Sequence, residues 1–305
     1  MRLLPRVAMW SVHGGATWAE EAALDFSDNS NPLGPPSKLI QLVAEAVERG
    51  VYLKFPANLA EEVLSQYEEV PVVVFNGATE AISAAASWLR PRRIVTLRHD
   101  YRDYARVAEV LGVPHLSADW PPPLEERDLF IFSNPSNPFG SYVPRDVVLE
   151  LAKKARVLVD ESFIDFCRCE SSAPDVPVVK SYGKFLAAPG LRIGVAVGGF
   201  FPKSHAPPWR INSIVDYAVY HLGVEGLRGH KLNTLLYITQ EVPRVLEALS
   251  KCVKYSPTQV HFFVIYGHPP RGVRVRPLWD RGVEGYRVSI KDRDSNDWLI
   301  KTICA

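Results

Sequence analysis

Residues 72–97 read VVVFNGATEAISAAASWLRPRRIVTL, and this stretch decides the fold. It opens on Val72, Val73, Val74 and Phe75, an unbroken apolar run that suits a strand buried on both faces. Asn76 and Gly77 turn the chain. Residues 78–89 then place Ala81, Ile82, Ala85, Ala86 and Leu89 on one face of a helix. Pro91 closes that segment, and residues 93–97 form a second short apolar run. Strand, helix and strand in so short a span is the repeating unit of a parallel sheet.

Working outward, similar runs recur at 113–116, 129–132, 156–159, 176–180 and 192–197. Helical patterns at 101–111 and 144–155 lie between them, the second with Pro144 at its first position. The prediction is an α/β layer around a mostly parallel seven-stranded sheet. After Pro207-Pro208 the pattern changes. Residues 210–222 and 232–249 read as helices, 260–266, 273–276 and 286–290 as strands, and 295–303 as a closing helix. That is a smaller α+β unit with antiparallel strands. The expected division is an N-terminal segment at 1–57 lying with the small unit, a large domain at 58–209 and a small domain at 210–305.

A chain of 305 residues suits two such units, and 47% apolar residues exclude a disordered polymer. Lys and Arg number 35 against 34 Asp and Glu, so no global field favours nucleic acid or a membrane surface, and neither is an expected partner. No apolar run approaches the ~18 residues of a membrane span. Met1-Arg2-Leu3-Leu4-Pro5-Arg6 lacks the apolar core of an export signal, so a cytoplasmic protein is expected. Cys167, Cys169, Cys252 and Cys304 then read as reduced thiols. The 25 prolines and two methionines are compatible with heat adaptation. One C-x-C without partners is not a metal site, and no G-x-G-x-x-G follows a predicted strand.

Ligands of open α/β sheets sit beyond the carboxyl ends of the strands, so the polar residues there matter most. Ala78 and Thr79 begin a helix whose open N–H groups favour an anion, although a plain capped turn has the same sequence. Residues 133–140, SNPSNPFG, form a rigid loop in which Asn137 either offers its amide to a ligand or makes an Asx turn. Asp160 ends a wholly apolar run, which is costly unless a cation meets it. Ser181 and Lys184 follow another run, and Arg192 comes eight residues after the lysine. Together they place an amine, an acid, an arginine and an anion-type turn at one sheet edge.

As an ordered set, SYGKFLAAPGLRIG at 181–194, NPSNPFG at 134–140, VDESFIDF at 159–166, PPWRIN at 207–212 and YRVSI at 286–290 resemble segments of the fold-type I pyridoxal-phosphate enzymes, in the histidinol-phosphate aminotransferase branch. The resemblance implies pyridoxal 5'-phosphate as cofactor and the transferase fold of that group. It implies that Lys184 carries the cofactor covalently and moves protons at the substrate Cα. Asp160 would pair with the ring nitrogen, Asn137 would donate to the ring oxygen, and Tyr101 would stack on the ring. Ala78, Thr79, Ser181 and Arg192 would hold the phosphate. Departures stand at Phe55, Phe139, Phe163 and Gly183, where the branch carries Tyr, Thr, Tyr and Ser.

Within the branch, three features incline toward the decarboxylases of threonine phosphate in cobalamin biosynthesis. His13-Gly14-Gly15 ahead of LDFSDNSNPLGPP at 24–36 resembles their HGGN and DFSANINPLG segments. Phe163 matches their usual residue, and Lys291 stands where they tend to carry a base. His13, Asn31, Arg287 and Lys291 would then bind a phosphorylated amino acid. The reaction implied is L-threonine O-3-phosphate to (R)-1-amino-2-propanol O-2-phosphate, with transfer of an amino group to 2-oxoglutarate as the alternative. The resemblance also implies a homodimer to which residues 52–56 contribute.

Overall fold

The structure, a computed structural model, describes residues 13–20 and 24–305. The expected segment 1–57 is therefore seen in part, and its residues 1–12 and 21–23 lie outside the described residues. Seven strands form the large sheet: β1 (Val72–Phe75), β2 (Arg93–Leu97), β3 (His115–Ala118), β4 (Asp128–Ser133), β5 (Arg156–Asp160), β6 (Val178–Ser181) and β7 (Gly194–Val197). Their order is β1-β7-β6-β5-β4-β2-β3. Strands β2 to β6 pair in parallel, while β7 runs antiparallel to both β6 and β1. The predicted mostly parallel sheet of seven strands is what the chain builds.

Alternation within the apolar runs covers the two faces. Val73, Phe75, Ile94, Leu129, Ile131, Leu158 and Val179 face a layer that includes α3 (Ala78–Leu89) and α4 (Asp103–Leu111). Val72, Val74, Val95, Phe130, Phe132, Val157, Val159 and Val178 face the other way, toward α5 (Arg145–Ala152) and the long helix described below. The third strand begins two residues later than predicted. The Val113 N–H instead bonds the Ala108 carbonyl behind Gly112, closing α4.

Two helices precede the sheet, α1 (Ser37–Glu48) and α2 (Ala60–Glu68). A single turn, α6 (Tyr182–Phe185), follows β6. Residues Ser213–Leu249 form α7, interrupted at Gly223 (φ 70°, ψ 173°), so the helix expected to end at residue 222 resumes at once and not at 232. Both α1 and α2 pack on α7. The small sheet is antiparallel, ordered β8-β10-β9, from β8 (Phe262–Tyr266), β9 (Arg276–Pro277) and β10 (Gly285–Ser289). Helix α8 (Arg293–Cys304) closes the described chain. Phe26 fastens the early segment to this sheet: its N–H donates to the Arg274 carbonyl and its carbonyl accepts from the Ser289 N–H, both at 2.9 Å.

The cysteines depart from expectation. Cys167 pairs with Cys169 and Cys252 with Cys304, at Cα separations of 5.2 and 5.3 Å. Both separations lie in the bridging range, and the second bond joins the segment after α7 to the end of α8. Among the described residues no helix is long and apolar enough to cross a membrane.

Candidate active site

A cavity of about 370 Å³ opens at the carboxyl ends of β1, β4 and β6 and extends to the small sheet, a size usual for small-ligand sites. A second space of about 140 Å³ adjoins it and shares Thr79, Tyr101, Asn137, Ser181, Lys184 and Arg192. Of the residues expected to form the site, these six line both spaces, Ala78 and Asp160 line the smaller one, and His13 and Arg287 line the larger.

One wall is a cradle for an anion. Gly77 (φ 92°) lets α3 start directly after β1, and the Arg192 guanidinium lies against it. A Cβ on Gly77 would sit 2.5 Å from Arg192 Nη2, and one on Gly194 2.3 Å from the Ala78 backbone nitrogen. Bare backbone is therefore required on both sides. The helix N-terminus at Ala78 and Thr79, the Ser181 side chain and the Arg192 fork then offer donors to a phosphate-like group.

Asp160 lines the smaller space at the end of β5 and is 6% exposed. Its Oδ2 accepts from the Tyr104 hydroxyl at 2.8 Å, and its Oδ1 from the Ser162 N–H at 3.0 Å and hydroxyl at 2.5 Å. Burial pushes the carboxyl up, and the bonds from Ser162 and Tyr104 oppose that. Nearby, Asp100 is pushed up to about 6 by burial, while Ser133 donates to it through both N–H and hydroxyl and so fixes the loop that carries Asn137. Tyr101 lines both spaces and donates to Asp103 Oδ2 at 2.9 Å.

Lys184 projects from α6, and its Nζ donates to Asp28 Oδ1 at 2.7 Å. Across the cavity, Arg287 of β10 donates through Nη1 to Asn137 Oδ1 at 2.7 Å and through Nη2 to the Ser27 carbonyl at 2.6 Å. Burial lowers this guanidinium to about 9, with Arg281 and Arg276 adding repulsion. Those two arginines also line the cavity and were not expected there. Arg276 is paired with Asp280 at 2.7 Å. Arg281 donates to the carbonyls of His99 and Asn137 at 3.2 and 3.1 Å. Nε of Arg281 and Nε of Arg287 are buried and meet no partner among the described residues. A wall so rich in buried guanidinium calls for an anionic ligand.

His13 lines the same cavity, with Nε2 3.8 Å from Asp103 Oδ1. Burial lowers its ring below the ordinary value; Asp103 opposes this, and Arg276, Arg281 and Lys184 add to it. Asn31, expected to touch substrate, is instead a buried strut: its Nδ2 donates to the Phe185 carbonyl at 3.0 Å and to Thr234 Oγ1 at 2.7 Å. Asn29 takes the place on the cavity wall, and both its amide atoms are buried without a partner among the described residues. Lys291 is absent from the wall and sits behind it, Nζ donating to the Asp28 carbonyl at 3.1 Å. Among the departures, Phe163 and Gly183 line the cavity. Phe139 packs instead toward Val264, Leu278 and Val283. Phe55 is 73% exposed and stacks on Trp209 at 4.2 Å.

The aminotransferase class I and II family matches residues 23–199. A threonine-phosphate decarboxylase of Salmonella typhimurium is 27% identical, over 64% of this chain and 63% of its own. A histidinol-phosphate aminotransferase of Chlorobium luteolum is 26% identical, over 97% of this chain and 94% of its own. Among solved structures, L-threonine-O-3-phosphate decarboxylase from Porphyromonas gingivalis superposes with a TM-score of 0.79 at 18% identity, covering 92% of this chain and 98% of that one. A likeness at that identity speaks to the fold.

Proposed function

Because this chain belongs to the aminotransferase class I and II family, we propose that it releases carbon dioxide from L-threonine O-3-phosphate to give (R)-1-amino-2-propanol O-2-phosphate. It is a pyridoxal-phosphate-dependent enzyme, as its family and relatives are. The residues present fit that cofactor. Bare backbone at Gly77 and Gly194 keeps the start of α3 and the Arg192 fork clear of side chains, and Nε of Arg281 and of Arg287 are buried without a partner among the described residues.

Ala78, Thr79, Ser181 and Arg192 would hold the cofactor phosphate, Asp160 the ring nitrogen, Asn137 the ring oxygen, Tyr101 a ring face and Lys184 the aldehyde carbon. When bound, the cofactor accepts the electrons of whichever bond at the substrate Cα is broken. An acid buried at Asp160 and supported by Tyr104 and Ser162 suits a pyridinium, which supplies the cation that its burial calls for. Lys184, in reach of the Asp28 carboxylate, holds and moves the proton at Cα. Arg276, Arg281 and Arg287, with His13 lining the same cavity, fix how the substrate's two anionic groups are turned. Which bond stands perpendicular to the ring follows from that grip, and about an ångström of misplacement is enough to change it.

The observation that carries the reading is the number of cationic groups lining the cavity beyond the cofactor's own Arg192. Threonine phosphate has a carboxylate and a phosphate to meet them. Histidinol phosphate has no carboxylate and would leave buried charge unmatched. The second reading, aminotransfer, is favoured by the coverage of the Chlorobium luteolum relative and uses the same Lys184 and Asp160. Pure protein incubated with threonine phosphate, and separately with histidinol phosphate and 2-oxoglutarate, decides between them. Glutamate in the second mixture with no carbon dioxide in the first would overturn the decarboxylase reading.

We also propose a homodimer, supported by the exposure of Tyr52, Leu53 and Phe55 and of Trp209, on which Phe55 stacks. Light scattering that finds only a 34.1 kDa species would remove it. Residues 58–209 remain the proposed cofactor-binding domain, with 1–57 and 210–305 forming the smaller one.

A further inference from the structure

The carboxylate of Asp28 reaches Lys184 Nζ at 2.7 Å, with 22% and 29% of the two side chains exposed. Its placement is built into the backbone. The Asp28 carbonyl accepts from Lys291 Nζ at 3.1 Å and from the Ser289 hydroxyl, which anchors it to the end of β10. Three residues on, the Asn31 N–H donates to the carbonyl of Lys184 itself at 3.0 Å, tying the loop to α6. In the DFSANINPLG segment that residues 25–34 resemble, this position is alanine, so the carboxylate is a departure of this chain. Burial alone would push the Asp28 carboxyl up, but the Lys184 ammonium, joined by Ser30 and Lys291, more than reverses this and holds it ionised, well below the usual carboxylate range.

An amine in this place has tasks that need opposite protonation states. Capturing an aldehyde, or taking a proton from Cα, needs the neutral form; giving a proton to Cα needs the ammonium. A carboxylate at ion-pair distance favours the charged form. We propose that Asp28 is a positioning residue that biases Lys184 toward giving a proton to the substrate Cα, and so favours decarboxylation over aminotransfer. This rests on the decarboxylase reading above. In the step, the C–C electron pair stays behind as carbon dioxide leaves, and the proton of Lys184 Nζ joins that pair to form the new C–H bond. The amine is then neutral and able to displace the product, and the ammonium of the next substrate returns the proton. Aminotransfer would instead require Lys184 to remove the Cα proton, against the pull of Asp28.

The test uses Asp28→Asn, which keeps the shape, and Asp28→Ala, which restores the residue of the resembling segment. The first readout needs no substrate: pyridoxal phosphate is added to the cofactor-stripped protein, and covalent capture is timed by absorbance and by borohydride trapping on the peptide containing residue 184. Without the ion pair, capture should be faster by about tenfold. The second readout is the amount of pyridoxamine phosphate formed per carbon dioxide released from threonine phosphate, which should rise by about the same factor. A folded variant with unchanged capture and unchanged partition overturns the role of Asp28 and leaves the decarboxylase reading intact. Wild-type protein that releases no carbon dioxide removes that reading, while the capture rates still report on Asp28. If Asp28→Asn fails to fold, the same two measurements on Asp28→Ala decide the matter.

Discussion

The Tyr104 hydroxyl donates to Asp160 Oδ2 at 2.8 Å, joining the first turn of α4 to the end of β5. Both residues are buried, so the bond is one of the few means of stabilising the carboxylate from within the protein. Tyr104→Phe removes that donor and leaves the Ser162 bonds alone. The loss should cost about 1–3 kcal/mol of apo-protein stability, measured by denaturant unfolding near neutral pH. Bound cofactor should recover part of it, because the ring nitrogen gives Asp160 another donor. Equal losses in apo and loaded protein would speak against Asp160 as the partner of that nitrogen.

Lys184 is expected to carry the cofactor. Borohydride treatment of the loaded protein should leave a stable adduct on the peptide containing residue 184, and Lys184→Ala should lose it. The structure separates this amine from the nearest rival on β6. Lys180 is 4% exposed and is held by Glu68 at 2.5 Å and Asp165 at 2.9 Å, outside the cavity wall. An adduct on Lys180 or Lys203 would reassign the site.

What could be read from the chain, and what could not, follows from how each residue signals its place. The strands of the large sheet were legible because each is a short apolar run, and the turn at Gly77 because it stands between one such run and a helix. Lys184, Asp160 and Arg192 were legible from their places after those runs. Arg276 and Arg281 were not: the first sits inside a predicted strand, the second in a charged loop, and only the closure of the small sheet brings them to the cavity. Asn29 carried no signal of its own, because local sequence does not tell which of two nearby amides, Asn29 or Asn31, turns inward. Asp28 did carry a signal, an acid where the resembling segment has alanine, but its meaning depends on the distance to Lys184.

The Cys252–Cys304 bond should contribute measurable stability. It closes a separation of 52 residues, for which chain entropy gives about 4 kcal/mol, an upper figure where the unfolded chain keeps structure. Cys252→Ser with Cys304→Ser should therefore unfold at lower temperature than the wild type, and a reductant should lower the wild type toward the variant. The Cys167–Cys169 bond spans a separation of 2 and should contribute little by the same reasoning. If mass spectrometry of the unreduced protein finds four free thiols, both pairings fail.

Glu161 gives a pH signature of the apo-protein. The side chain is fully buried, and burial pushes its carboxyl up from 4.5 to about 7, although Ser171 and Ser172 donate to it. The folded state thus binds the proton more tightly than the unfolded one. Its contribution is fully present below about pH 4.5 and is lost as pH rises toward about 7, a change of about 3 kcal/mol. His261, lowered to about 3 by burial, works in the opposite sense: the unfolded state binds its proton between about 3 and 6.5, so stability rises with pH there. Subtracting Glu161→Gln from wild type at each pH cancels the histidine. The difference in unfolding free energy should fall from pH 4.5 to 7, and a flat difference would show that Glu161 is not the responsible group.

Gly194→Ala tests the anion cradle directly. In β7, opposite Phe75, the added Cβ would lie 2.3 Å from the Ala78 nitrogen and 2.4 Å from the Gly77 carbonyl carbon. Both are backbone atoms, so no flexible side chain can yield, and relief requires the start of α3 to move away from β7. That movement displaces the first-turn N–H groups while leaving Lys184, Asp160 and Asn137 chemically intact. Overpacking of this kind costs about 1–3 kcal/mol of stability. The greater effect should fall on the cofactor, whose dissociation constant should rise at least about tenfold, since each 1.4 kcal/mol lost at the phosphate is a factor of ten. Gly190→Ala is the control, because its Cβ would meet nothing within 4 Å. Equilibrium titration with pyridoxal phosphate reads both variants, and free inorganic phosphate as competitor isolates the cradle. Should Gly194→Ala bind the cofactor as tightly as Gly190→Ala, the phosphate is held somewhere other than the junction of β1, α3 and β7.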